Sequence, residues 1–284
     1  MGLTLTVAVS ATVAQSLPRK AVQVEPDQFD EKSGIYFHCD EKTMEAYIQD
    51  LYPDAEEYYS QETFTVPTQI GISGLSISFD ESGAGADYVF KVTALGKKAL
   101  CKATVKNLVF TEPSNVCVFK EEALSQLSKL TGTLTLPSSL KVIEKKGIFS
   151  GSTGGKMPVT KLVIPAGIDS LGMSSVVLNQ VKEIEFLGPT PPKVYDDGNG
   201  VLPWTISKTS AYNTPKDIKI TYPQGADEAY KNAPGISTYF TQLQSGTAIE
   251  NTKREASPAT KSLYKGMLII KRNGVKYTTT GQRL

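Results

Sequence analysis

The chain has 284 residues, and its 30 Lys and Arg nearly balance its 29 Asp and Glu, so the formal net charge is only +1. This balance excludes a generic nucleic-acid-binding protein, which would carry a strong basic excess. One His and three Cys are too few for a zinc cluster or a disulfide scaffold. The sequence contains no run of 18 apolar residues, the length that a membrane-spanning helix needs.

The first 14 residues are small, apolar or uncharged, and the chain turns polar at Gln15 and basic at Arg19. A stretch of this length is typical of the apolar core of a secretory signal and is too short to span a membrane. We interpret residues 1–14 as the remnant of an export signal. The alternative is a buried first strand, because Thr and Val dominate the segment.

The near-zero net charge hides an asymmetry between the two ends. Residues 15–60 form an acidic segment, and residues 25–62 carry a net charge of −10, whereas residues 250–284 carry +6. Opposed ends can attract a second copy of the chain head to tail. The alternative is two solvated surfaces, because exposed charges interact weakly.

A strand pattern is repeated through the middle of the chain. Each copy has two apolar residues separated by one residue, and a proline follows within three positions. From Leu108 onward, successive copies are spaced by 26, 28, 22 and 34 residues, in or near the range of stacked repeat proteins. The copies are TFTVP (63–67), NLVFTEP (107–113), TLTLP (133–137), KLVIP (161–165), EIEFLGP (183–189) and DIKITYP (217–223).

The alternation in each copy predicts a β-strand with one apolar face, which the proline ends by removing a ladder donor. The segment Glu121–Leu127, after one of these strands, is expected to be helix-like or a turn. One unit cannot bury its apolar residues alone, so neighbouring units must stack into a continuous core. The fold class predicted is therefore a β-rich α/β solenoid of short strands with short helices and turns.

Residues 131–151 (TGTLTLPSSLKVIEKKGIFSG) and 159–178 (VTKLVIPAGIDSLGMSSVVL) resemble the BspA-like type of leucine-rich repeat found in bacterial surface proteins. Residues 87–110 resemble that family's first unit, and residues 219–240 resemble its closing unit. The resemblance implies a right-handed superhelix over residues 61–243, preceded by a capping β-hairpin within 15–60. Residues 111–130 and 188–215 depart most from the repeat pattern.

The last part of the chain is predicted to be a linker at 244–262 and a β-hairpin module at 263–284. Asn273-Gly274 is the preferred pair for a two-residue hairpin turn, because both positions need positive φ. The hairpin resembles the short C-terminal module of exported proteins from Gram-negative anaerobes, which serves in some of them as a sorting signal.

Two groups of residues are candidates for binding. Solenoids usually bind on their broad exposed sheet, where the side chains between the inward apolar residues project. The outward candidates, beside Asn107 and Val109, are Thr133, Thr135, Lys161, Val163, Glu183, Glu185, Asp217 and Lys219. The 34-residue unit also carries an insert with the aromatic candidates Tyr195, Trp204 and Tyr212. The alternative for Trp204 is a place in the local core beside Leu202 and Ile206.

The sequence predicts no catalytic residues, no metal site and no cofactor. His38, Cys39 and Asp40 are adjacent on a strand, where neighbouring side chains point to opposite faces, so they cannot converge. The stretch Gly151–Lys156 has the wrong spacing for a phosphate loop, and Asp196–Gly200 lacks the ligand order of a calcium loop. Cys39, Cys101 and Cys117 allow at most one disulfide, and buried thiols are expected.

The resemblance implies an exported or cell-surface leucine-rich-repeat protein that works as a non-catalytic binding or adhesion module for a protein or glycan, and the absence of convergent catalytic residues agrees with it. The alternative is a structural spacer of the cell envelope that self-associates through its opposed charges. A hydrolase that uses the acidic residues of 25–62 is disfavoured, because their spacing implies no carboxylate pair in a cleft.

Overall fold

A computed structural model describes residues 27–30, 35–49, 62–73, 76–78, 88–151, 157–246, 260–264, 267–272 and 275–277. The predicted export signal at 1–14 and most of the loop at 151–156 lie outside the described residues, as does more than half of the acidic segment 15–60. The described part of the chain is rich in strands and holds one short α-helix.

The first seven strands build an irregular entry to the repeats. Strands β1 to β3 are antiparallel neighbours, and β3 pairs in parallel with β7, which places the β2–β3 hairpin beside the first long strand. β5 pairs with both β6 and β7 in antiparallel fashion. Their bounds are β1 Asp27–Asp30, β2 Ile35–Asp40, β3 Glu45–Ile48, β4 Thr63–Val66, β5 Gln69–Ser73, β6 Ser76–Ser78 and β7 Tyr88–Leu95.

Short strands then recur through the repeats, with one helix near the end. The strands are β8 Asn107–Phe110, β9 Val118–Phe119, β10 Leu124–Ser125, β11 Gly132–Thr135, β12 Val142–Ile143, β13 Ile148–Phe149, β14 Val159–Ile164, β15 Ser170–Leu171, β16 Val176–Val177, β17 Glu183–Phe186, β18 Lys193–Val194, β19 Lys219–Tyr222 and β20 Gln242–Ser245. The helix α1 spans Asp227–Lys231.

These strands form three faces, because the central units of the described chain each contribute one strand to each face in turn. Face 1 holds β4, β8, β11, β14, β17, β19 and β20; face 2 holds β7, β9, β12, β15 and β18; face 3 holds β10, β13 and β16. Every pair of hydrogen-bonded neighbours within a face is parallel. The chain is thus a β-rich stack of repeated units, as the sequence predicts.

The inward residues of face 1 lie directly opposite one another in successive units. Leu134, Leu162, Ile184 and Ile220 are in register, and each is at most 1% exposed. Burying a Leu or Ile side chain contributes roughly 1.5–3 kcal/mol relative to leaving it in water. Because each of these residues is covered by the same position of its neighbours, the stability of one unit depends on the units beside it.

The helix-like alternative for Glu121–Leu127 is wrong, and the segment is a turn followed by β10. Glu122 and Gln126 both have φ of 58°, which an α-helix cannot contain. The amide of Glu122 donates to the carbonyl of Lys145 in the next unit instead of bonding within its own segment. Stacking against the neighbouring unit therefore decides the backbone here.

The same left-handed corner recurs in four successive units. Lys98, Glu122, Lys146 and Ser174 have φ between 51° and 58°, and each donates its backbone N–H to the following unit. Ion pairs flank this column of corners, with Glu121 lying 3.1 Å from Lys97 and 3.5 Å from Lys145. The corners turn the chain from face 2 to face 3.

Aromatic side chains close the core at its C-terminal end. Trp204 packs edge-on against Phe186 and Phe240, with ring centroids 6.4 and 5.0 Å away. Tyr230 of α1 stacks on Tyr222 at 4.5 Å and donates its hydroxyl hydrogen bond to the carbonyl of Gly188. The helix and the following turns thereby cover the last rung of the core.

The C-terminal part forms a separate three-stranded antiparallel sheet of β21 Thr260–Tyr264, β22 Met267–Arg272 and β23 Val275–Tyr277. β22 and β23 flank Asn273 and Gly274, with Arg272 opposite Val275. Strands occupy both ends of the predicted linker range 244–262, because β20 extends to Ser245 and β21 begins at Thr260, and residues 247–259 lie outside the described residues. The period-two pattern of β21 is weak, so the sequence indicates only two of the three strands.

Lys102 provides a test of the left-handed corners. It is exposed and has φ of 64°, a conformation that costs a residue with a Cβ roughly 1–2 kcal/mol. We expect Lys102→Gly to raise the free energy of unfolding by about 0.5–1 kcal/mol, because relief of this strain outweighs the added entropy of the unfolded chain. Urea denaturation measures the change.

Lys129 is the matched control, because it is also exposed but does not have positive φ. Lys129→Gly should lower the free energy of unfolding by about 0.5–1 kcal/mol. Equal destabilisation by both substitutions would contradict the strained corner at Lys102.

Candidate functional site

The predicted outward residues of face 1 do project from one surface. In each strand they alternate with buried residues, and Thr133, Lys161 and Glu183 lie directly opposite one another in three successive strands. Thr135, Val163 and Glu185 form a second row beside them. The structure therefore brings six of the sequence-based candidates together on one face.

The alignment of the last candidate pair differs from the prediction by two residues. The repeat pattern places Asp217 beside Glu183, but β19 begins only at Lys219, which is the residue that lies opposite Glu183. Asp217 is exposed and precedes the strand. The cause is the core, because Ile220 and the larger Tyr222 take the inward positions and Tyr222 stacks on the closing helix.

The charged residues of this surface are paired with one another. The Lys161 ammonium lies 2.7 Å from the Glu185 carboxylate and 3.1 Å from that of Glu183, which lies 3.7 Å from Lys219. The hydrogen bond to Glu185, with a weaker one to Glu183, raises the pKa of Lys161 above its ordinary value. Two cations and two anions thus form a neutral network, and neither sign dominates the surface.

Face 1 is interrupted between β8 and β11. β4 and β8 form a two-stranded sheet of their own, and the five strands from β11 to β20 form another. Faces 2 and 3 remain continuous through the same two units, where Val118 pairs with Val142 and Leu124 with Ile148. The two units therefore separate on face 1 alone.

A cleft of about 440 Å³ occupies this interruption. Its outer rim is formed by Asn107, Val109, Thr133 and Thr135, which include two of the predicted binding residues. Its lining has no lysine or arginine, and its one acidic residue is Glu112. Val109 is 45% exposed, so an apolar side chain stands beside neutral hydroxyl and amide groups.

The core is slightly open below the cleft. Leu108 and Phe110 of β8 are 9% and 8% exposed, whereas the corresponding Leu162 and Ile164 of β14 are fully buried. The missing strand contacts on face 1 account for this difference. A ligand in the cleft would cover the remaining exposed edges of both side chains.

Glu112 connects the two units at the far end of the cleft. Its carboxylate accepts hydrogen bonds from the Ser138 backbone N–H at 2.9 Å, the Ser138 hydroxyl at 2.7 Å and the Ser114 N–H at 2.9 Å. Partial burial raises the pKa of Glu112, but the bonds from Ser138 and Ser114 outweigh it and hold this pKa below its ordinary value. A carboxylate bridge thus takes the place of a strand ladder here.

The sequence analysis does not identify Glu112 or the cleft. One signal is present, because residues 111–130 depart from the repeat pattern and lie between the two separated strands. A second is Gly132, which has φ of 74° and begins β11 at an irregularity in its pairing with β14. Neither signal shows which face opens.

The aromatic candidates of the insert do not form one site. Trp204 is fully buried, and its indole N–H donates to the carbonyl of Gly235 at 3.0 Å, so it cannot contact a ligand at the surface. The core alternative for this residue is therefore the correct one. Tyr195 and Tyr212 are 42% and 37% exposed, and Tyr195 bonds through its backbone to Leu171 on face 2, away from the face 1 row.

The other reactive side chains are arranged as the alternation predicts. Cys39 points inward and is buried, whereas His38 points outward and stacks on Tyr47 at 4.9 Å. Lys120 lies 4.0 Å from the same ring, beside a second cavity of about 380 Å³. Cys117 donates a weak hydrogen bond to the Thr93 carbonyl. The expectation of buried thiols holds for Cys39 but not for Cys101 and Cys117, which are only partly buried.

The described residues contain neither a metal-binding cluster nor a membrane-spanning helix. Within the described residues, no three His, Cys, Asp or Glu side chains are close enough to share a metal ion. The Asp197 carboxylate instead accepts bonds from the amides of Val201 and Asn199, which closes a turn. In the same part of the chain, no helix has the length and apolar character needed to cross a bilayer.

Comparison with known proteins finds similarity only at the level of structure. No family model and no curated protein matches the chain. A leucine rich cell surface protein from Faecalibacterium prausnitzii A2-165 is 12% identical, with a TM-score of 0.35, over 92% of this chain and 61% of that one. The pneumococcal vaccine antigen PcpA is 17% identical, with a TM-score of 0.35, over 79% and 65%. The chain thus spans less than two thirds of either protein, and a similarity of this size assigns no site.

Substitution of Trp204 tests its place in the core. We expect Trp204→Ala to lower the free energy of unfolding by about 3–5 kcal/mol, because it removes a large buried ring and leaves the Gly235 carbonyl without its donor. Tyr195→Ala and Tyr212→Ala, as exposed aromatic controls, should change it by about 0.5 kcal/mol or less. Urea denaturation compares the three variants, and a near-neutral Trp204→Ala would contradict the packing described here.

The lowered pKa of Glu112 predicts that the free energy of unfolding depends on pH. Since its pKa is lowered on folding, its contribution to stability is present above the unfolded pKa of about 4.5 and is lost as the pH falls through the folded value. Glu112→Gln should therefore be less stable than the original chain at pH 7, by on the order of 0.5 kcal/mol after solvent screening. The difference should be smaller at pH 3, because the Glu112 carboxylate is protonated to a greater extent there. Urea denaturation at both pH values measures it, and a difference unchanged by pH would exclude a role for the charge.

Proposed function

We propose that the chain is an exported or cell-surface leucine-rich-repeat protein of the BspA-like type, and that it acts as a non-catalytic binding or adhesion module for a protein or glycan. The observation that supports this proposal is the outward surface of face 1, which combines a regular row of side chains with a cleft between β8 and β11. Recognition takes place at the cleft and on the adjacent rows.

The physical basis is rigidity. The outward side chains of face 1 stand on strands whose inward neighbours are almost completely buried, so their positions are held by the core. A binding surface that is already ordered loses little conformational entropy when a partner binds. A repeat stack also presents a surface long enough to contact an extended macromolecule at several points.

The cleft is a better anchor than the charged network. Lys161, Glu183, Glu185 and Lys219 already satisfy one another, so a partner that bound them would have to replace existing ion pairs. Val109 and the hydroxyls of Thr133 and Thr135 have no such competing charge. We therefore place the centre of recognition at the cleft and the charged rows at its periphery.

Export and sorting are further parts of the proposal. They depend on the apolar residues 1–14 and on the resemblance of the C-terminal module to that of exported proteins. The alternative, an envelope spacer, depends on the opposite charges of residues 25–62 and 250–284, which would favour head-to-tail association at low salt.

The test compares three proteins on a glycan array and an array of surface and extracellular proteins. They are the original chain, the double variant Val109→Arg with Thr135→Arg, and the control Thr190→Arg, an exposed residue outside the strands of face 1. We expect the double variant to bind the identified partner at least tenfold more weakly, equivalent to about 1.4 kcal/mol, while the control binds normally.

Circular dichroism and urea denaturation verify that the variants are folded. Equal binding by all three proteins would overturn the assignment to face 1. If no partner binds and sedimentation shows oligomers that dissociate as salt is added, the spacer function replaces the binding function.

A further inference from the structure

The distance between β8 and β11 can be compared with the normal spacing of strands in a sheet. Nearly all Cα–Cα separations between β8 and β11 exceed 8 Å. Hydrogen-bonded strands are separated by about 4.8 Å, and two strands with a third between them by about twice that distance. The gap between β8 and β11 is therefore too wide for a direct ladder between most of their residues.

Backbone groups of β8 point into this gap. The amides of Asn107 and Thr111 donate to Glu62 and Val66, on the side of β4. In a parallel strand, successive residues direct their backbone groups to opposite sides. The N–H and C=O groups of Leu108 and Phe110 consequently face the gap, where no ladder joins β8 to another strand.

Backbone groups of β11 point into the gap from the other side. The amide of Leu136 donates to Val163, in the direction of β14. By the same alternation, the N–H and C=O groups of Thr133 and Thr135 face β8. The gap is thus bounded by two strand edges, each with the donors and acceptors that a strand between them would need.

We propose that this cleft binds an extended, uncharged peptide segment of a partner protein as an added β-strand between β8 and β11. The proposal rests on the binding function proposed above and names the class of partner. A strand is the occupant that matches both edges at once, because its N–H and C=O groups alternate from side to side. A glycan would have no such periodic match to the two edges.

The closed ends of the cleft determine how much peptide fits. At one end the Thr131 amide donates to the Lys106 carbonyl at 3.3 Å, and at the other end Glu112 bridges to Ser138. About four residues therefore insert, the length of β8 and of β11, and the peptide leaves toward solvent at both ends.

The side chains of the inserted segment follow from the neighbouring strands. β8 reads NLVF and residues 133–136 read TLTL, with Asn, Val or Thr outward and an apolar residue inward. The rim of the cleft carries Val109, Thr133 and Thr135 and no lysine or arginine. The expected segment is thus four residues in which Thr, Ser or Val alternate with aliphatic residues.

The probe is a synthetic peptide that copies residues 133–136, with a lysine added at each end for solubility. Its control has the same side chains but carries N-methyl groups on alternate backbone amides, which removes ladder donors on one edge. We expect the unmodified peptide to bind and the methylated peptide to bind at least tenfold more weakly by isothermal titration calorimetry. In hydrogen exchange, the amides of Leu108, Phe110, Thr133 and Thr135 should become protected.

Two protein variants complete the test. Thr135→Pro removes one backbone donor that faces the cleft and should weaken peptide binding at least tenfold, whereas Thr135→Val keeps that donor and should bind normally. Because the methylated peptide leaves the protein unchanged, the result does not depend on the folding of Thr135→Pro.

Equal binding of the two peptides, no peptide binding, or no protection of the four amides would each overturn the added strand. A different outcome is that the arrays nevertheless identify a glycan or protein partner that binds the double variant Val109→Arg with Thr135→Arg more weakly than the original chain. In that case the proposed function stands without this mode of recognition. If neither peptide nor any array partner binds, the proposed function falls as well.

Discussion

The structure depends on the burial of equivalent apolar residues that lie opposite one another in successive units. Leu134, Leu162, Ile184 and Ile220 illustrate the arrangement, because each lies opposite the same position of the neighbouring unit and is at most 1% exposed. Parallel pairing keeps this register, since a slip of one residue would move the apolar side chains to the solvent face. The outward surface follows from the same constraint. Side chains alternate along a strand, so the residues on either side of each inward residue point toward solvent.

Deviations from this arrangement occur where the spacing of units changes. The irregular residues 111–130 accompany the gap between β8 and β11, and the long unit at 188–215 brings Trp204 into the aromatic cluster at the end of the core. At the gap, faces 2 and 3 keep their strand pairing. At the long unit, the aromatic cluster keeps the core covered. The fold therefore tolerates a local opening on face 1 because faces 2 and 3 still hold the units together.

Much of the fold could be predicted from the sequence, because alternation of apolar residues is a local pattern that survives in the strands. It correctly orients Thr133, Lys161 and Glu183 toward solvent. Three features could not be read in this way. The start of β19 at Lys219 depends on how Tyr222 packs against α1, the burial of Trp204 depends on Phe186 and Phe240, and the corner at Glu122 depends on a bond to the next unit. All three are set by packing or hydrogen-bond contacts outside the strand itself, which a local alternation pattern does not contain.

The interruption of face 1 also separates two kinds of surface chemistry. From β14 onward, charges that would otherwise attract ligands are neutralised by neighbours at 2.7–3.7 Å, and exposed pairs of this kind contribute little to binding or stability. At the cleft, by contrast, the unpaired groups belong to the backbone, whose donors and acceptors form strong interactions only with a partner of matching geometry. On the proposal above, a surface with satisfied charges and open strand edges selects its partner by backbone geometry, so the proposed recognition requires no net charge on the chain.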